Sequence, residues 1–247
     1  MGSIEAVMGK YLIYGANGGI GSAIARRLAS AGAALHLTGR NGDALDILAS
    51  ELGATYSIGN VLNADDISRI ADEAGADLAG LVYAPGTINL KPLKRLSDDD
   101  FLNDFRINAL GAVNAIQASL DALKAGEGGS VLLFSTIAVS QGFAAHASVS
   151  MAKGAVEGLV RALGTELAPH VRVNAIAPSL VDTGLSKAVT SSEQMAKAIA
   201  GMHAIPRVGR PEDLAALAEV LLTPAGGWIT GQVIGVDGGR STLRPKG

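Results

Sequence analysis

Short continuous apolar runs alternate along the chain with longer stretches whose apolar positions recur at helical spacing. Lys10 to Tyr14, Ala33 to Thr38, Thr55 to Ile58, Gly80 to Ala84, Ser130 to Ser135, Val171 to Ile176 and Gln232 to Val236 read as strands. Between them, Gly19 to Ala31, Asp43 to Leu52, Ala64 to Glu73, Asp98 to Leu123, Val149 to Leu167 and Pro211 to Leu222 read as helices, the Asp98 to Leu123 segment being open to interruption. Ser179 to Ala204 is less regular. Leu81-Val82 and Val131-Leu132-Leu133-Phe134 are unbroken apolar runs, which suits a parallel sheet buried on both faces. Strict strand–helix alternation implies βαβ crossovers. The pattern therefore predicts one α/β domain spanning residues 1–247, with about seven parallel strands doubly wound and helices on both faces. Ligands of such sheets sit beyond the carboxyl ends of the strands, at the switch point, so chemistry is sought just after each strand.

Composition narrows the partners. Of 247 residues 48% are hydrophobic, so a large core is available, and 32 are glycine without a collagen-like period. Lys and Arg number 20 against 23 Asp and Glu, a net charge of −3 with no basic stripe, which argues against nucleic acid. No cysteine is present, which excludes disulfides, a thiol nucleophile and a Cys-ligated zinc. His36, His146, His170 and His203 are too scattered for a metal cluster. No transmembrane run, signal peptide or myristoylation signal is found, Ala6 standing where the last needs Ser or Thr. These features predict a soluble cytoplasmic protein without membrane, metal or nucleic-acid partners.

The first strand runs into Gly15-Ala16-Asn17-Gly18-Gly19-Ile20-Gly21 and then a helix. Positions without side chains let the turn close and let backbone N–H groups approach a pyrophosphate at the positive helix N-terminus. Gly15, Asn17, Gly18, Gly19, Ile20 and Gly21 are thus candidate dinucleotide contacts.

With this glycine spacing, Asn108, Lys153, Val173-Asn174-Ala175-Ile176-Ala177-Pro178 and Gly231-Gln232-Val233-Ile234-Gly235-Val236-Asp237-Gly238-Gly239, nearly the whole chain resembles the short-chain dehydrogenase/reductase family. The resemblance implies a Rossmann-type fold and hydride transfer on a carbonyl/alcohol pair. After the second strand, a carboxylate would bond the adenosine ribose 2′-hydroxyl and repel a 2′-phosphate. Thr38-Gly39-Arg40-Asn41 has none before Asp43, and Arg40 offers a planar fork of donors suited to phosphate, so NADP(H) is expected over NAD(H). Asn60-Val61 stands where the family holds adenine. Ala84 and Gly86, with Pro178, Val181 and Thr183 after the sixth strand, stand at further cofactor positions, and residues 183–204 correspond to the substrate lid. No paired-arginine clamp is seen there, which favours a neutral, moderately apolar carbonyl substrate.

The same resemblance implies a Tyr four residues before a Lys, a Ser thirteen residues before that Tyr, and an Asn on the preceding long helix. Here Lys153, Thr136 (beside Ser135) and Asn108 occupy matching positions as candidate catalytic residues, but Val149 stands where the tyrosine is expected. Valine cannot transfer a proton, and loss of a positioned general acid costs about 10²–10⁴-fold in rate. Tyr83-Ala84-Pro85-Gly86 likewise replaces the usual Asn-Asn-Ala-Gly. His146 and Tyr83 are alternative proton donors, each rivalled by a plain structural role, and Lys153 is first a cofactor ligand and second a proton source. Asp98-Asp99-Asp100 after Ser97 reads as helix capping. Ala152, Gly154, Ala155, Gly158, Ala162 and Gly164 suit a homodimer or homotetramer interface, or else close packing within the chain. Two functions follow: an oxidoreductase with a non-tyrosine proton source, or a non-catalytic dinucleotide-binding protein with a sensing or scaffolding role.

Overall fold

β-Branched and leucine-rich runs gather into one sheet in a computed structural model that describes residues 9–126, 128–187 and 192–244. Its strands are β1 (Lys10–Tyr14), β2 (Ala34–Gly39), β3 (Thr55–Ile58), β4 (Gly80–Tyr83), β5 (Gly129–Phe134), β6 (Val171–Pro178) and β7 (Val233–Val236). They lie in the order β3-β2-β1-β4-β5-β6-β7 with every pair parallel. The expected α/β, doubly wound Rossmann-type sheet of seven strands is what forms. The chain leaves β1 toward β3 and returns to β4 on β1's other side, so the switch point opens beyond Tyr14 and Tyr83.

Residues 11–14 of β1 are at most 1% exposed, which explains a strand without polar alternation. Tyr11 and Ile13 meet α1 (Gly19–Ser30), α2 (Gly42–Leu52) and the Pro211–Leu222 helix on one face. Leu12 and Tyr14 meet α3 (Ala64–Ala74) and the helices of residues 111–118 and 147–166 on the other.

The expected 98–123 helix is broken into α4 (Asp98–Phe105), a π-turn over Arg106–Leu110, α5 (Gly111–Ala118) and α6 (Leu120–Ala125). In the π-turn Gly111 N–H reaches back five residues to the Arg106 carbonyl. The buried Tyr83 hydroxyl donates to the Ile107 carbonyl at 2.6 Å. A Cβ on Gly111 would lie 2.0 Å from that hydroxyl, so the absence of a side chain there is what admits the tyrosine. At the start of α4, Ser97 and Asp100 form a reciprocal cap, as the acidic run suggested.

Two short helices arise where no regular pattern was read: α7 (Ala138–Gln141) and, inside the irregular stretch, α9 (Glu193–Gly201). Between them, α8 (Ala147–Glu166) begins two residues before the expected Val149, and α10 (Pro211–Leu222) matches its expected bounds. Residues 188–191 of the expected lid lie outside the described residues. Among the described residues no helix is long and apolar enough to cross a membrane.

Candidate functional site

Beyond the carboxyl ends of β1, β2 and β4 opens a cleft of about 790 Å³. Its floor is built by close backbone approach. Gly15 has φ +73°, and a Cβ there would meet Pro85 N at 3.0 Å; one on Gly21 would meet the Gly15 carbonyl at 2.3 Å. A Cβ on Gly19 would lie 2.8 Å from Thr183 Cγ2, so the loop after β6 lies directly against the glycine turn. Gly18 caps α1 without a side-chain acceptor, and the first turn carries no acidic residue. The leading amides of α1 are therefore free of a competing protein anion. This cradle, open at a helix N-terminus and too close for side chains, fits a diphosphate.

The remaining predicted contacts distribute along this floor. Asn17 packs its side-chain oxygen against Gly39, and the exposed Arg40 follows at the rim with no ion pair among the described residues. Ile20, Asn60, Val61, Ala84, Gly86 and Thr183 all line the cleft. Asn60 is held in a local turn, its side-chain Oδ1 accepting from Leu62 N at 3.1 Å and its backbone N–H donating to Asp66 at 2.9 Å. Pro178 and Val181 do not line it. Pro178 ends β6 and accepts from Ile137 N at 3.1 Å, and Val181 turns into the core.

At the other end, Lys153 and Asn108 converge on Gly86. A Cβ there would lie 3.2 Å from Asn108 Oδ1 and 3.5 Å from Lys153 Nζ. Lys153 Nζ donates to the Phe134 carbonyl at 2.8 Å. Burial pushes its ammonium down to about 8, opposed by the negative charge of Asp104. Asn108 Nδ2 donates to Thr87 Oγ1 and to the Asp104 carbonyl, each at 2.8 Å, while its Oδ1 is buried without a protein partner. Thr136 is half-buried and accepts from Ala138 N at 3.2 Å, at the head of α7. Ser135, next to it, points the opposite way and donates to Glu157 at 2.8 Å. Val149 is buried one turn before Lys153 on α8.

Of the two alternative donors, Tyr83 lies in the core against Tyr14 (ring centroids 5.9 Å apart) with its hydroxyl committed to Ile107. Burial also pushes that phenol far above its ordinary value, so it is a packing residue. His146 precedes α8, sharing Nδ1 with the Ala144 carbonyl at 2.7 Å, its ring edge-on to Phe143.

Asp104 and Thr87 also line the cleft, though no sequence pattern singled them out. Asp104 did leave a trace: an acid one turn before Asn108, on the helix face that packs inward.

A family model described as "Enoyl-(Acyl carrier protein) reductase" matches residues 15–241. Galactitol 2-dehydrogenase (L-tagatose-forming) from Cereibacter sphaeroides is 33% identical over 92% of this chain and 92% of its own length. A short-chain type dehydrogenase/reductase from Mycobacterium ulcerans superposes with TM-score 0.89 at 32% identity, over 96% of this chain and 90% of that one.

The chain belongs to the short-chain dehydrogenase/reductase family.

A gluconate 5-dehydrogenase from Burkholderia cenocepacia, solved with NADP and tartrate, also aligns with this short-chain dehydrogenase/reductase. Its TM-score is 0.90 at 25% identity, over 97% of this chain and 98% of that one. The family membership places the chain among dinucleotide-binding oxidoreductases, a family whose enzymes act on small molecules.

Proposed function

We propose that this oxidoreductase interconverts a neutral carbonyl compound and its alcohol with NADP(H) in preference to NAD(H). The observation that carries the reading is the convergence of the Lys153 ammonium and the Asn108 amide on Gly86, at the far end of a cradle shaped for a diphosphate. The free Arg40 guanidinium at the rim supports the 2′-phosphate preference, as does the NADP of the gluconate 5-dehydrogenase structure. The glycine turn and Thr183 would hold the pyrophosphate end, with Asn60 and Val61 beside the adenine and Lys153 beside the nicotinamide ribose. Once bound, the cofactor supplies the hydride donor or acceptor. Thr136 would hydrogen-bond the substrate oxygen.

Val149 cannot supply a proton and Tyr83 gives its one hydroxyl proton to the Ile107 carbonyl, whereas the Lys153 ammonium keeps two N–H donors beyond the one it gives the Phe134 carbonyl. In this reading Lys153 gives its proton to the substrate oxygen during reduction, becomes the neutral amine and recovers a proton from solvent. A value near 8 is matched to that role at physiological pH. NADPH incubated with a broad panel of carbonyl compounds should be oxidised above blank. Flat traces from protein that demonstrably binds NADPH would favour a second reading, supported by Val149: a dinucleotide-binding protein without catalysis. Val149→Tyr separates the two, since activity confined to the variant marks a silent native site and activity lowered in it marks a remodelled working one.

A homodimer or homotetramer, located in the cytoplasm, completes the proposal. Leu102, Leu110 and Met151 stand exposed on α4, the π-turn and α8, and Trp228 is fully exposed. Gly158 on α8 faces open space, whereas Gly164 is accounted for by Gly231, whose Cα would lie 2.9 Å from a Cβ there. The small residues thus divide between packing within the chain and a free face. Light scattering coupled to gel filtration tests the assembly.

A further inference from the structure

α4 buries one of its residues fully, and that residue is an aspartate. Asp104 is 1% exposed, at the position where helical spacing calls for an apolar side chain. A buried carboxylate costs several kcal/mol unless charge and hydrogen bonds offset it. Asp104 Oδ1 accepts from the Thr87 hydroxyl at 2.6 Å, and Oδ2 has no protein partner. Thr87 in turn accepts from Asn108 Nδ2 at 2.8 Å. Asn108 then turns its unpartnered Oδ1 to the space beside Gly86 that Lys153 Nζ also faces. A polar path thus runs from the carboxyl of α4 through Thr87 and Asn108 to a gap beside Gly86, which the ammonium of α8 faces from its other side.

We propose that Asp104 is the buried counter-charge of Lys153, coupled to it along the Thr87–Asn108 path, and that it keeps the lysine cationic in a cleft where Val149 supplies no phenol. Asp104 is a positioning residue: it acts through the lysine and not on a substrate.

The surroundings leave it without a rival. Of the other α4 acids, Asp98 and Asp99 are exposed and Asp100 is paired with Lys91 at 2.6 Å. Arg106 of the π-turn is exposed. β5 offers the Phe134 carbonyl and α7 has no charged side chain. On β6, Arg172 holds the carbonyls of Leu221, Gly226 and Thr223, and on α8 Glu157 holds Ser135. The electrostatic partner that raises Lys153 against its burial is Asp104.

The inference rests on reading Lys153 as the working cation of the cleft, but its test needs neither cofactor nor substrate. Protein carrying ¹³C-labelled lysine is titrated by NMR, with the Lys153 signal assigned by its loss in Lys153→Met. Asp104→Asn removes the charge at constant shape. The Lys153 midpoint should then fall by about one pH unit or more, the size expected for losing a close opposite charge. Asp100→Asn should leave it in place. Thr87→Val cuts the path while leaving both charged residues in place; it should lower the Lys153 midpoint in the same direction, and this arm decides the matter if Asp104→Asn does not fold. A Lys153 midpoint unmoved in Asp104→Asn, moved equally by Asp100→Asn, or unmoved in Thr87→Val overturns the proposal. Coupled titrations in a protein that reduces nothing would overturn the proposed function and leave this inference standing.

Discussion

Arg40 lines one end of the cleft and Lys153 lies buried beside Gly86, and each makes a separate claim on measurement. A charge-assisted hydrogen bond contributes about 1.5–3 kcal/mol, so Arg40→Ala should weaken NADPH binding by roughly tenfold to a hundredfold. NADH, which lacks the 2′-phosphate, should bind the variant nearly as it binds the native protein. Fluorescence titration with both coenzymes checks the difference. For Lys153 the sign follows from its proposed role as acid. Carbonyl reduction needs the ammonium, so kcat/KM should fall as pH rises through about 8, and alcohol oxidation should show the opposite limb. Matching rate profiles for the two directions would exclude the lysine as proton source. At this scale the glycine turn, Lys153 and Asn108 were legible in the sequence, because their spacing along the chain is fixed by one turn and one helix each. Asp104 and Thr87 were not. Their partnership joins α4 to the loop after β4, across 17 residues, and only folding brings the carboxyl within 2.6 Å of the hydroxyl.

The element that departs most from its sequence pattern is the long helix, and the departure has a cause outside the helix. Apolar periodicity runs through residues 98–123, but the π-turn at 106–110 shifts the register and frees the Ile107 carbonyl for Tyr83. Tyr83→Phe removes that donor and leaves a buried carbonyl unsatisfied, which should cost about 1–3 kcal/mol of stability. Urea denaturation measures it, and an unchanged midpoint would show that the carbonyl finds another partner. The first βα turn makes a parallel case. Gly21→Ala would press a methyl against the Gly15 backbone, which cannot move aside as a side chain could. About 1–3 kcal/mol of destabilisation is expected, together with weakened coenzyme binding. The start of α1 could be read from the sequence because Gly18-Gly19 gives it a local signal. The end of α4 could not, because the residue that stabilises the π-turn lies on β4.

Across the whole molecule, stability is tied to pH through a buried histidine that does not line the cleft. His36 is 2% exposed in β2, sharing its ring nitrogens with Thr55 and Ser57 of β3 at 2.8 Å each. Burial lowers its pKa below the ordinary 6.5, with Lys10 adding to the effect and Glu73 opposing it. The unfolded chain therefore binds a proton that the folded chain resists, so stability should fall as pH drops through 6.5 toward the depressed value. Thermal melts between pH 7.5 and 5 should show that decline, and it should shrink in His36→Gln. An equal decline in the variant would assign the pH dependence to other groups. The sequence by itself determined the parallel sheet, the order of strands and helices along the chain, and the tight glycine turn after β1, because these follow from short-range periodicity and from backbone room that only glycine leaves. It also set out the cofactor framework, through spaced motifs that survive as linear text. The tertiary structure alone decided that Tyr83 is a strut rather than an acid, that Ser135 faces Glu157, and that a buried carboxyl stands behind Lys153. Each of those depends on which side chain arrives opposite which when remote segments pack, and such pairings leave no period in the chain.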